Sequence, residues 1–162
     1  MRRIDLKIIV GGIIGMVALS CTSKASLELK ESLVFYPFGD VPENPQSLQV
    51  LTCCLYPKDQ SMLVVYGNST AFNFSQSPEH PSYPVGTVLY GVLWESEADE
   101  DWFGAVVPKQ IKQIERIEVV QEETIAYSCY DAQGKLQKKP LNETERIQYM
   151  LEQQKASSPE VK

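Results

Sequence analysis

YPVGTVLYGVLWESEADEDWFGAVVP, Tyr83 to Pro108, sets an apolar run, five carboxylates and a Trp-Phe-Gly side by side. Thr87–Trp94 within it reads as a strand. Successive strand residues point to opposite sides, so Val88, Tyr90, Val92 and Trp94 share one face and Leu89 and Leu93 the other. A strand apolar on both faces belongs in the middle of a covered sheet. Gly91 inside it marks close approach by another backbone, an aromatic ring or a ligand.

The acids follow at once: Glu95, Glu97, Asp99, Glu100 and Asp101. Glu97, Asp99 and Asp101 have the one-three-five spacing of a calcium loop. Its sixth position, where Gly makes the turn, is Trp102, and its twelfth, where Glu closes the shell, is Pro108. Acid–base catalysis needs a carboxylate shifted by burial or by neighbours, and a solvated turn supplies neither. The stretch reads as core with an acidic turn at its tip, and Trp102-Phe103-Gly104 is expected to plug the sheet rather than line a cofactor pocket.

Outward from this strand, Leu48–Tyr56 and Met62–Tyr66 read as two more, joined by a hairpin turn at Pro57–Gln60. Ser32–Phe38 reads as a first edge strand and 39–47 as a loop. Ser69–Ser75 is either a short helix capped by Asn68 or an irregular crossing. Ile111, Ile114 and Ile117 have helical spacing while Ile117 and Val119 alternate, which predicts a helical turn after Pro108 and then a strand. Thr124–Tyr130 and Lys135–Gln137 form a hairpin around Asp131–Gly134. Asn142-Glu-Thr-Glu145 has capping-box spacing and opens a helix to about Lys155, with Ile147, Met150 and Leu151 on one face. The fold class is α+β: an antiparallel β-sheet with a short mid-chain helix and a C-terminal helix, in one domain over 32–156 with a flexible tail at 157–162.

Met1 to Lys7 is a basic leader, and the apolar run Ile8–Leu19 is shorter than the roughly 20 residues a bilayer span needs. Residues 1–20 therefore read as an export signal peptide. Val17-Ala-Leu-Ser-Cys21 resembles a bacterial lipobox, which implies acylation (diacylglycerol and palmitate) at Cys21, with 21–31 as a tether. Several acyl chains anchor stably where one does not. Thr22 in place of Asp points to the periplasmic side of the outer membrane as the expected address in the cell envelope. The formal charge of −6, with Arg2, Arg3 and Lys7 in the leader, leaves an acidic remainder with no electrostatic reason to bind nucleic acid.

Cys53, Cys54 and Cys129 remain. Export permits a disulfide. Cys53 and Cys54 are neighbours on a strand, so at most one of them can meet Cys129, Cys54–Cys129 being a candidate disulfide with Cys53 the other choice of partner, and the unpaired one is expected to be buried as a small hydrophobe. With no Cys-x-x-Cys, a thiolate metal or redox site is the lesser alternative.

The segments VVYGN (Val64–Asn68), YPVGTVLYGVLWE (Tyr83–Glu95) and DEDWFGAVVP (Asp99–Pro108) together resemble a branch of the cytochrome P-460 family. The likeness covers Val64 to Val120, with a weaker echo at Glu145–Tyr149. It implies an exported antiparallel-sheet domain, often homodimeric. Well-known members carry haem on a C-terminal Cys-x-x-Cys-His, with a lysine bond in those that oxidise hydroxylamine, and others bind small gases. This chain has no Cys and no His after Cys129, so neither thioether attachment nor the usual axial imidazole is available there. The expectation is a lipid-anchored domain without covalent haem or catalytic residues, acting as a binding or structural module. The alternative is haem-dependent redox or small-gas chemistry (hydroxylamine or nitric oxide) through non-standard ligation, with His80, Tyr90 and Cys54 as candidate ligands. A third reading is metal binding through the acidic loop or the thiols.

Overall fold

The computed structural model describes residues 39–76, 82–153 and 160–161. The expected signal peptide, Cys21, the expected tether, the strand expected at Ser32–Phe38 and His80 lie outside them.

Five strands form an antiparallel meander: β1 (Gln49–Tyr56), β2 (Ser61–Gly67), β3 (Val88–Ala98), β4 (Val106–Gln121) and β5 (Thr124–Asp131). A two-residue β6 (Glu160–Val161) pairs in parallel with Cys54 and Leu55, within the segment expected to trail as a tail. The order is β5-β4-β3-β2-β1-β6, which puts β3 in the interior of the sheet, as its apolar faces require. Together with α1 (Ser69–Gln76) and α2 (Glu143–Leu151) this is an α+β fold.

The two faces of β3 meet different neighbours. Leu89 joins Leu63, Val65, Ile117 and Tyr127 in one core, closed by Ala71 of α1 and Met150 of α2. Tyr90, Val92 and Trp94 join Tyr66, Ile114 and Tyr130 in a second, to which residue Val41 and the neighbouring Leu48 contribute. Both helices thus cover one face, and the chain at 41–48 packs on the other.

Gly91 is where α2 comes closest. A Cβ built there would lie 2.6 Å from Met150 Sδ and 3.3 Å from Leu63 Cδ1, so the expected close approach is made by a methionine side chain. The helix end above it is fixed by Gln153: its Nε2 donates to the Tyr149 carbonyl at 2.7 Å, and its own carbonyl accepts from Tyr83 OH at 3.2 Å.

The short helix is the alternative realised at 69–76. Asn68 Oδ1 accepts the Ala71 N–H at 3.0 Å, which satisfies an otherwise orphaned donor. The expected capping box at Asn142 is not made. Asn142 has φ −101° and ψ 32°, outside the extended conformation a capping residue takes, and its side chain makes no cap bond. Lys139 pairs instead with Glu143 across 2.6 Å, and the helix stops at Leu151.

β4 corrects the helical turn expected after Pro108: residues 106–121 are all strand. Trp94 pairs with Ile111 and Leu93 with Gln113, leaving Lys112 as an extra residue in a bulge. That insertion puts Ile111 and Ile114 beside the same core despite their odd spacing. A bulge in a strand has counterfeited the spacing of a helix.

The cysteines also differ from expectation. Cys54 lies on β1 and Cys129 on β5, with three strands between them, and neither of them is in a disulfide, nor is Cys53. Strands stand about 4.8 Å apart, so three intervening strands put the pair far beyond disulfide reach. Cys54 is buried and its Sγ lies 3.5 Å from Gln153 Oε1, while Cys53 is only half-buried.

Candidate functional site

Glu115 sits on β4 one residue from Ile114 and two from Ile117, yet it is 2% exposed. A carboxylate taken out of water needs donors around it. Arg146 of α2 supplies two, Nε to Oε1 at 2.9 Å and Nη2 to Oε2 at 2.5 Å. Tyr127 of β5 supplies a third through its hydroxyl, 2.5 Å from Oε1. The bidentate guanidinium–carboxylate pair ties α2 to the sheet with the geometry Arg is suited to.

Arg146 continues the network outward. Its guanidinium lies 5.1 Å from the centre of the Tyr149 ring, and the Tyr149 hydroxyl is hydrogen-bonded to that of Tyr56 on β1. Above Glu115 and Leu93 these side chains wall a half-open cavity of about 480 Å³, with Asp59 and Ser61 near the β1–β2 turn and Asn142 beside α2. The volume is in the range of small-molecule sites.

The electrostatics follow from burial and from the carboxylate. The hydrogen bond to Glu115 raises the Arg146 pKa above its ordinary value, against the opposing effect of burial. Burial, then the Glu115 bond and charge, push the Tyr127 hydroxyl up strongly. Burial raises Tyr149 as well. Burial and then the Glu115 charge raise the Cys129 thiol, so it is the opposite of an activated nucleophile. Glu115 accepts three charge-assisted or phenolic bonds, so its oxygens are engaged by Arg146 and Tyr127. The arrangement can orient a ligand through hydrogen bonds; it presents no nucleophile with an adjacent base.

The structure does not gather the residues singled out in the sequence at this cavity. Tyr90 is fully buried on the opposite face, where Arg116 Nε donates to its hydroxyl at 3.1 Å. Cys54 lies under the helix end. The acids at 95–101 stand on the β3–β4 arm: Lys109 lies 3.7 Å from Glu95 and 3.6 Å from Glu97, and Asp99 Oδ1 accepts the N–H groups of Asp101 and Trp102 at 2.8 and 3.1 Å. No cluster of three or more metal-ligating side chains occurs among the described residues. Trp102 and Phe103, expected to plug the sheet, are 74% and 109% exposed. The reason is length: β3 and β4 pair out to Ala98 and Val106, which carries the tip beyond the core.

Haem makes a specific demand on a cavity lining. Its iron is held in proteins by His, Cys, Met or Tyr. Among the described residues the lining offers Tyr56 and Tyr149, which bond to each other, and no His, Cys or Met. The lining sets the Glu115–Arg146 ion pair beside Leu63 and Leu93. These residues fit a porphyrin poorly.

Glu115 was the residue sequence reasoning missed. The signal was a charged residue within the alternating run Ile114–Val119, in register with Ile117 on the core side. No helix among the described residues is long and apolar enough to cross a membrane. No family model matches the chain, and no curated protein matches it.

Proposed function

We propose that this chain is an exported, lipid-anchored binding module of the cell envelope, of cytochrome P-460-like build and without covalent haem. The observation that supports it best is the cavity over Glu115 and Arg146: a preformed hollow lined by polar and apolar side chains, in which the buried carboxylate and the guanidinium satisfy each other. Such a site selects a small polar ligand by hydrogen bonding rather than transforming it. The lipobox-like run ending at Cys21 supports the anchor, and the absence of Cys and His after Cys129 supports the lack of a thioether-bound haem.

Two measurements test the reading. In fractionated cells the wild-type chain is expected in the membrane and Cys21→Ser in the soluble fraction; a variant that stays with the membrane removes the anchor. Haem titrated into the purified full chain is expected to give no saturable Soret band. A stoichiometric band that persists through gel filtration would favour the haem-dependent alternative.

A further inference from the structure

The β3–β4 tip is built, not merely exposed. Asp99 accepts two backbone N–H groups of its own turn, the Asp99 N–H donates to the Ala105 carbonyl at 3.0 Å, and the Ala105 N–H donates to the Trp102 carbonyl at 3.0 Å. Gly104 takes φ +82°, the left-handed conformation that closes the turn. The closed turn holds Trp102 and Phe103 outward, and Val106 beside them is 44% exposed. Below lies a groove of about 190 Å³ between the β1–β2 turn and the base of the arm, lined in part by Leu55, Pro57, Ala98 and Val106. Apolar surface therefore runs from the two rings into the groove, and leaving large apolar side chains in water is unfavourable.

We infer that this end of the sheet docks a partner protein presenting an apolar pocket with a Lys/Arg rim, with Trp102 and Phe103 as the inserted anchors. Aromatic side chains pre-ordered on a rigid turn are the usual centre of a binding interface. Charge selects the partner. Glu100 and Asp101 are exposed beside the rings and pair with no cation among the described residues, while Glu97, paired with Lys109 at 3.6 Å, lines the groove. A basic rim matches that collar. A second copy would set collar against collar on a chain of charge −6, and an anionic leaflet would repel it. The inference is independent of the ligand in the cavity and of the anchor.

The test places the photo-crosslinking residue p-benzoylphenylalanine at Phe103 of the full chain in the cells that encode it. The expected result is one protein adduct, mapped to an apolar pocket flanked by Lys or Arg and weakened at least about tenfold by Glu100→Lys with Asp101→Lys, whose thermal midpoint stays that of the wild type. With the purified adduct partner, Trp102→Ala is expected to weaken binding by about tenfold or more. Adducts only to lipid, only to a second copy, or none at all would overturn the inference, as would an adduct indifferent to the charge reversal.

Discussion

Arg146 shows what one side chain carries. It satisfies both oxygens of a carboxylate that is 2% exposed, on an element 31 residues away in the chain. Removing it leaves Tyr127 as the one remaining donor in that network, so Arg146→Ala is expected to destabilise the protein by about 3 kcal/mol, the usual scale for breaking a buried pair. Exchanging both partners, Arg146→Met with Glu115→Gln, should cost clearly less, because no unpaired charge is left behind. Denaturant midpoints of the two variants check the pair. Equal losses would mean that α2 is held by packing alone.

At the scale of the element, β3 and α2 are fitted to each other through an absent side chain. Gly91→Val places branched carbons where Met150 Sδ and Leu63 already sit, and overpacking of this kind costs about 1–3 kcal/mol. Thermal denaturation should show that loss, with partial recovery in Gly91→Val combined with Met150→Ala. β3 was legible in the sequence because a strand covered on both sides is apolar at nearly every position. The later part of β4 was legible as a strand; its first part was not, because the extra residue at Lys112 brings Ile111 and Ile114 to one core across a helix-like spacing, while Ile117 faces the other core. The cavity was illegible for a different reason. Its pairs, Glu115 with Arg146 and Tyr56 with Tyr149, join residues that only the sheet order and the return of α2 bring together. The Trp-Phe of the tip was misread because type alone does not tell a core aromatic from a displayed one. Its exposure is set by how far two strands run past the helices.

The whole molecule carries a shared alkaline limit. Burial first of all pushes Tyr66 and Tyr90 up to about 12, and raises Tyr83, Tyr127 and Tyr149 in the same direction. In the unfolded chain a phenol ionises near pH 10. Above that pH the unfolded state binds fewer protons than the folded one, so stability falls as pH rises. The contribution of these groups is complete below about pH 10 and is lost between about pH 10 and 12. Denaturant midpoints should drop within that window, together with the rise of phenolate absorbance. Tyr127→Phe removes one such group along with a donor to Glu115, so it should soften the alkaline decline while lowering stability at neutral pH.

The same long arm makes the chain divisible. A protease with aromatic preference meets Phe103 at the far end of a turn, while β3 and β4 stay paired from Ala98–Val106 to Val88–Glu118. One cut there should give two fragments that co-migrate under native conditions and separate only in denaturant. Each half carries an edge that recognises the other, so separately produced halves should find each other and rebuild the sheet.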